Sequence, residues 1–360
     1  MKKLLIIAFI LFNLTSLTAQ MAALQYTDAQ NLTLIGKALP DGPSYHRLDT
    51  ASFPAIPPTV KNLLTHSAGL AVSFSTNSTQ IGVKWCTSPR APGNNMTAIA
   101  YEGMDLYIKR NGQWQYAGVA RPRTNECNEF MVLENMAPGD KECLLYLPLY
   151  DETLSLQIGV EPEANLIAKP NPFQKNILLY GSSIVHGASA SRPGLAYPAR
   201  LSRETGYNVI NLGVSGNARM EPAVAEMIAT MQMDAFILDC VPNSSPEQVT
   251  ERTANLVKTI RAQHPEVPII AIQSIVREGG NFNRSIAERV AAQNANFLRE
   301  ISQLQQTDRH LYLITAEGLL GDDHEGTTDG THPNDLGFDR MLQKIKPAMQ
   351  DILEKYSGFE

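Results

Sequence analysis

From residue 176 onward the chain repeats one pattern, a short apolar run followed by a stretch with helical spacing. Apolar runs at residues 177–180, 207–212, 235–239, 267–273 and 310–314 alternate with helix-like stretches near 196–204, 221–231, 246–263, 284–305 and 336–355. Strands that alternate with helices have to lie parallel, because a helix returns the chain to the end of the sheet from which it started. The pattern therefore predicts a doubly wound parallel sheet of five strands. The fourth helical stretch carries Ile286, Val290, Phe297, Leu298, Ile301 and Leu304 close to one stripe, as a helix with one buried face requires. Pro246 follows Ser244 and Ser245 and opens the third, where its missing amide does no harm.

The N-terminal half follows a different grammar. Residues 70–75, 80–85, 104–109 and 153–160 alternate apolar and polar side chains with period two, the mark of half-buried strands. Asn111-Gly112 sits between two such runs and predicts a tight hairpin, and Ala137-Pro138-Gly139-Asp140 predicts another turn. With no helix of three turns in view, the expectation is an all-β sandwich of the jelly-roll kind. Residues 161–175 hold Pro162, Pro170 and Pro172 and little periodicity, and read as a connection. The organisation expected is a sandwich over 21–162, a linker over 163–175 and an α/β domain over 176–360.

Residues 1–20 stand apart. Lys2 and Lys3 precede an apolar run from Leu4 to Leu14 and a small-residue stretch ending Thr18-Ala19-Gln20, the three parts of a cleavable signal peptide. The run is short for a membrane span, and no Cys follows it to carry a lipid anchor. A soluble, secreted or periplasmic protein without stable membrane insertion is expected. Four cysteines, Cys86, Cys127, Cys143 and Cys240, would then meet an oxidising compartment. Four allow three full pairings, and nothing in the spacing selects one. Without Lys2 and Lys3 the formal charge of −6 becomes −8, and no basic cluster argues for a nucleic-acid partner. The oligomeric state is open.

Chemistry concentrates in loops that leave the carboxyl edge of the predicted sheet, where open α/β sheets bind ligands. The first strand runs into Gly181-Ser182-Ser183, which presents a hydroxyl at that edge. A serine hydroxyl needs a base to become a nucleophile. Asp329-Gly330-Thr331-His332-Pro333, just before the last helix, offers an imidazole with a carboxylate three residues away to fix its tautomer. The amides of Ser183 and Gly216 and the side chain of Asn243 are candidate donors to an oxyanion; Gly216 is equally a turn glycine and Asn243 a turn former or cap. His186 and the loop residues Asn94 and Asn95 are candidate substrate contacts. The chemistry calls for no cofactor and no metal, and the polar run Asp322-Asp323-His324-Glu325 reads as solvated loop. There is no Gly-x-Ser-x-Gly elbow and no phosphate-binding Gly-Lys-Ser/Thr loop.

Gly181-Ser182-Ser183, Gly216, Asn243 and Asp329-Gly330-Thr331-His332 occur in the order and spacing of the four blocks of the SGNH, or GDSL-type, hydrolases, and the resemblance covers residues 176–355. It implies a flavodoxin-like α/β fold. It also implies a nucleophile at Ser183, a base at His332, its orienter at Asp329, and an oxyanion hole from Ser183, Gly216 and Asn243. Ser182 stands where the family usually has Asp, and Val241-Pro242-Asn243-Ser244 replaces its usual Gly-x-Asn-Asp. Gly103-Met104-Asp105-Leu106-Tyr107 resembles the Gly-x-Asp-Leu-Tyr signature of a bacterial two-domain subfamily in which a β-sandwich precedes the hydrolase. Two-domain carbohydrate acetylesterases are built similarly, so the resemblance implies hydrolysis of small acyl esters on a glycan or other small molecule. Asp105 and Tyr107 share a strand face that either meets the other domain or is simply half-buried. A lipid or thioester acyl hydrolase, and a carbohydrate-binding protein with a degenerate hydrolase domain, are the alternatives.

Overall fold

The computed structural model describes residues 24–90 and 93–359; the segment read as a signal peptide lies outside them. The N-terminal half is an antiparallel β-sandwich. One sheet has the order β1 (Gln25–Asp28), β9 (Thr153–Val160), β4 (Ile81–Thr87), β7 (Cys127–Leu133). The other runs β10 (Leu166–Ala168), β3 (Ala71–Thr76), β8 (Lys141–Tyr146), β5 (Met104–Arg110), β6 (Gln113–Ala120), with β2 (Thr33–Ile35) also on β3. Phe74, Val83, Trp85, Leu106, Leu145 and Ile158 fill the space between them. The Asn111-Gly112 hairpin joins β5 to β6 with both residues at positive φ, 52° and 78°, the geometry that matches strand twist. Cys86 and Cys127 lie opposite each other on β4 and β7 and form a disulfide, while Cys143 and Cys240 are buried free thiols. Part of the Pro-rich connection is ordered, because β10 pairs antiparallel with β3 before the chain crosses over.

The C-terminal half is a parallel sheet of β11 (Gln174–Gly181), β12 (Tyr207–Gly213), β13 (Ala235–Asp239), β14 (Ile269–Ile272) and β15 (Leu311–Ile314), in the order β12-β11-β13-β14-β15. The chain enters at β11, steps out to β12 and returns across β11 to β13, so the order reverses at β11 and a crevice opens there. On one face Leu178, Tyr180, Phe236 and Leu238 pack under α5 (Pro222–Ala229), α6 (Pro246–Gln263) and α7 (Arg284–Gln305). On the other, Ile177, Leu179 and Ile237 pack under α3 (Ser183–His186), α4 (Tyr197–Thr205) and α8 (Asp335–Leu353). The alternation along each strand, with helices over both faces, is what a doubly wound sheet needs.

The two halves share a core. Ala38, Leu48, Ile56 and the short helix α1 (Pro58–Leu64) leave the sandwich and pack on the α5–α7 face of the parallel sheet. Arg47 in this segment is fully buried. Its Nε donates to His66 O (2.9 Å) and its Nη1 to Asn211 O (3.1 Å) and Gly213 O (2.7 Å), while Nη2 donates to Leu63 O. Burial pulls the guanidinium down to about 9. A second junction explains the Gly-x-Asp-Leu-Tyr run. Met104 and Leu106 face the sandwich core, and the alternate residues face the hydrolase half. Asp105 Oδ2 accepts from Arg192 Nη1 (2.6 Å) and Gly194 N (2.9 Å), Tyr107 Oη accepts from the same Nη1 (2.6 Å), and Arg203 lies 3.8 Å over the Tyr107 ring. A Cβ on Gly103 would meet Ala120 O at 2.5 Å and Ile99 O at 2.6 Å, so the first position admits no side chain.

Asp239, at the end of β13, accepts a hydrogen bond from Tyr197 Oη at 2.6 Å and is buried. Burial, against the pull of that bond, pushes its carboxyl up from 3.8 to about 7. The folded chain therefore keeps a proton that the unfolded chain loses near the ordinary value. The stability this contributes is full below that value and is lost as pH rises through about 7. Asp239→Asn, which stays neutral and still accepts from Tyr197, is expected to raise Tm above the parent at about pH 8.5 and to match it near about pH 4. A Tm difference that does not change with pH would contradict this.

Candidate active site

β11 delivers the nucleophile. A Cβ on Gly181 would meet Asp239 O at 2.4 Å, so the strand packs this closely on β13 only with glycine there. Ser182 is buried and caps α3, its side-chain oxygen accepting from Ile184 N at 3.2 Å. A serine oxygen here satisfies one of the amides that open the helix. Ser183 begins the one-turn helix, and Gly187, at φ 108°, ends it.

The loop before α8 brings the partners. Ser183 Oγ lies 2.8 Å from His332 Nε2, and His332 Nδ1 lies 2.8 Å from Asp329 Oδ2. Asp329 Oδ1 accepts from Thr331 N (3.0 Å) and His332 N (2.8 Å), while Thr328 N donates to His332 O (2.9 Å). The turn is thereby closed on itself, with Gly330 at φ 81° at its bend. Burial alone would raise the Asp329 carboxyl; the His332 amide and imidazole and the Thr331 amide outweigh it and hold it at about 2. The carboxylate is thus charged wherever the imidazole can act as base, and it fixes the tautomer that leaves Nε2 free to take the serine proton.

Gly216 and Asn243 leave the neighbouring strands β12 and β13 at the same edge. Gly216 is exposed, with φ 70° and open space where a Cβ would project. Asn243 Oδ1 accepts from Ala218 N at 3.2 Å, which ties the two loops together and leaves the side-chain NH2 to donate. Arg277 Nη2 donates to Pro242 O at 2.8 Å and braces the same loop.

Two expected substrate contacts sit differently. His186 does not line the crevice: it is fully buried, Nε2 donates to Leu149 O at 2.7 Å, and its ring stacks 4.1 Å from that of Tyr150. Burial, then the Arg47 charge, hold the imidazole well below its ordinary range, so it is neutral. Asn95 Nδ2 instead donates to Asp329 Oδ2 at 3.1 Å and lies 3.3 Å from His332 Nδ1; Asn94 is exposed on the same loop. Reading the sequence also gave no role to Tyr150, whose Oη donates to Ser183 O at 3.4 Å, or to Arg47. In the 322–325 run, Asp323 pairs with Arg340 (2.5 Å) and His324 with Glu278 (2.8 Å). Among the described residues no cluster of His, Cys, Asp and Glu is built to hold a metal ion.

A hydroxyl, an imidazole and a carboxylate in hydrogen-bonded series, set at the switch point of a doubly wound sheet, are the equipment of a serine hydrolase that cleaves carboxylic esters. Comparison with known proteins agrees with that class. Residues 174–350 match the model of the GDSL-like lipase/acylhydrolase family, and residues 24–166 match that of the N-terminus of SGNH-hydrolase-type esterases. A solved structure from Bacteroides ovatus, described as a GDSL-like lipase, is 54% identical over 92% of this chain and 98% of its own, with a TM-score of 0.91. This chain belongs to the GDSL-like lipase/acylhydrolase family. A salicylyl-acyltransferase from a tetracycline biosynthetic pathway superposes with a TM-score of 0.73 at 17% identity, covering 91% of this chain and 97% of its own. An acetyl xylan esterase from Butyrivibrio proteoclasticus does so with a TM-score of 0.60 at 12% identity, covering 93% and 100%. At those identities the likeness is one of fold. The comparison with curated proteins gives no match.

Proposed function

We propose that the protein is a secreted serine esterase that removes small acyl groups, acetyl above all, from a carbohydrate. The observation that carries the reading is the unbroken series Ser183 Oγ, His332 Nε2, His332 Nδ1, Asp329 Oδ2, with 2.8 Å at each link. In the proposed cycle His332 takes the Ser183 proton as Oγ attacks the ester carbonyl. The amides of Ser183 and Gly216 and the Asn243 NH2 donate to the oxyanion. Collapse expels the sugar hydroxyl, which leaves with the proton from His332. Water, deprotonated by the same imidazole, then releases the acid from the acyl-enzyme.

The sugar and the acetyl group are supported by the fold shared with the acetyl xylan esterase and by a two-layer accessory domain. The order β1-β9-β4-β7 opposite β3-β8-β5-β6 supports reading that domain as a jelly roll. Secretion is supported by the character of residues 1–20 and by the Cys86–Cys127 disulfide. Among the described residues no helix is long and apolar enough to cross a membrane.

The test is acetate release from acetylated polysaccharides and oligosaccharides, with a Ser183→Ala control, alongside aryl acetate and aryl octanoate. Acetate release, with the acetyl ester turned over at least about tenfold faster than the octanoyl ester, is expected. Faster octanoyl turnover would replace the glycan reading with a lipid one.

A further inference from the structure

Asn95 belongs to the sandwich half, on the connection between β4 and α2 (Ala98–Glu102), yet it reaches a carboxylate 234 positions downstream. We infer that Asn95 is a positioning residue of the catalytic machinery, holding the Asp329 carboxylate in the plane from which it orients His332. This rests on the esterase reading above and extends it to the accessory domain, which becomes part of the active site.

The carboxylate's bonding makes the argument. Oδ1 is occupied by the Thr331 and His332 amides from its own turn. Oδ2 receives His332 Nδ1 at 2.8 Å and Asn95 Nδ2 at 3.1 Å. Asn95 is thus the one side-chain donor from outside the turn among the described residues, and it shares the oxygen on which the imidazole depends. The Asp329 side chain is 34% exposed, so without Asn95 water would compete for that oxygen and the turn would hold the carboxylate from one side only.

The donor is itself secured. Ser189 Oγ donates to Asn95 O (3.1 Å), Thr97 Oγ1 donates to Ser191 O (2.7 Å), and Ser191 N donates to Asp335 Oδ1 at the start of α8 (2.9 Å). Thr97 also caps α2 by accepting from Ala100 N (3.0 Å), and Met96 packs on the hydrolase core. Ser189 and Ser191 sit on the segment that continues into Arg192, the residue clamped by Asp105 and Tyr107. The Gly-x-Asp-Leu-Tyr strand therefore braces, from the sandwich side, the loop that presents Asn95 to the triad.

A substrate contact and a positioning residue give different kinetics. Asn95→Ala is expected to lower kcat for an aryl acetate between about tenfold and a hundredfold, with KM unchanged within about twofold. Asn95→Asp, equal in size, places a second carboxylate beside Asp329 and the imidazole. It favours the imidazolium, so the acid limb of kcat/KM is expected to move to higher pH by about half a unit or more. Arg277, on the turn whose Gly279 N donates to Gly330 O (2.8 Å), is a charged side chain that interacts electrostatically with Asp329, and it is common to all variants. Tm serves as the fold control; if Asn95→Ala fails to fold, the pH profile of Asn95→Asp carries the test. Raised KM at unchanged kcat, or an unmoved acid limb, overturns the inference. Ser183→Ala is run beside them. Activity there would overturn the esterase reading itself, whereas an inactive Ser183→Ala beside a fully active Asn95→Ala would overturn only the role of Asn95.

Discussion

Replacing Ser183 by alanine is expected to cut kcat for an aryl acetate by at least about 10⁴-fold while leaving Tm within about 2 °C. The side chain is buried, and its hydroxyl bonds the imidazole alone among the described side chains. Removing it leaves His332 on Asp329, Ser182 capping α3, and β11 packed on β13, so nothing that holds the fold is lost. The chemical step, in contrast, loses the atom that forms the covalent bond. His332→Ala is expected to cost a similar factor, and the double variant no more than either single one, because the two residues act as a unit. Asp329→Ala is expected to cost less, about 10²- to 10³-fold, since the carboxylate orients the imidazole but bonds to none of the reacting atoms. Rates and melting curves of these variants check the set; a Ser183→Ala protein with a tenth of parental activity would not fit it.

The largest effect on stability is expected at Arg47, far from any reacting atom. Its guanidinium serves four carbonyls, Leu63 and His66 in the N-terminal segment and Asn211 and Gly213 at the end of β12. Methionine would fill much of the volume but remove the donor from four buried carbonyls, of which Leu63 O keeps the His66 amide (3.3 Å). One such acceptor costs about 1–3 kcal/mol, and four that share a site do not add fully. A loss of about 3 kcal/mol or more is expected, read as a Tm lower by about 6 °C. Arg47→Lys is not expected to restore it, because one ammonium does not match the forked geometry that spans both segments. Since β12 leads into the loop of Gly216, activity should fall with stability as that loop loses its anchor. An Arg47→Met protein that melts within 2 °C of the parent, a margin of about 1 kcal/mol, would show that the joint is not what holds the halves together.

What the sequence made legible, and what it hid, divides along physical lines. The parallel sheet and its helices were readable because their periodicities are local, and the Asn111-Gly112 hairpin because both residues tolerate positive φ. Ser183, Gly216, Asn243, Asp329 and His332 could be singled out as candidates because each lies on a segment that leaves the carboxyl edge of the sheet, where chain order already places it. Disulfide pairing was not, since it depends on the register that sets Cys86 opposite Cys127. The seven residues of α1 are too few to display a stripe, so their packing on the other half's sheet gave no signal. His186 was misread because closeness in sequence to a nucleophile says nothing of direction, and one helical turn carries it beneath the sheet edge against Leu149 and Tyr150. Asn95 was singled out as a polar loop residue, but its bond to Asp329 is created only by the docking of the two halves.

The most direct measurement is covalent labelling followed by peptide mapping. Treating the protein with a fluorophosphonate ester and locating the adduct by mass spectrometry should yield one modified peptide, the one containing Ser183. It should be absent in Ser183→Ala and form far more slowly in His332→Ala. An adduct on another residue, or labelling as fast without His332 as with it, would contradict the account.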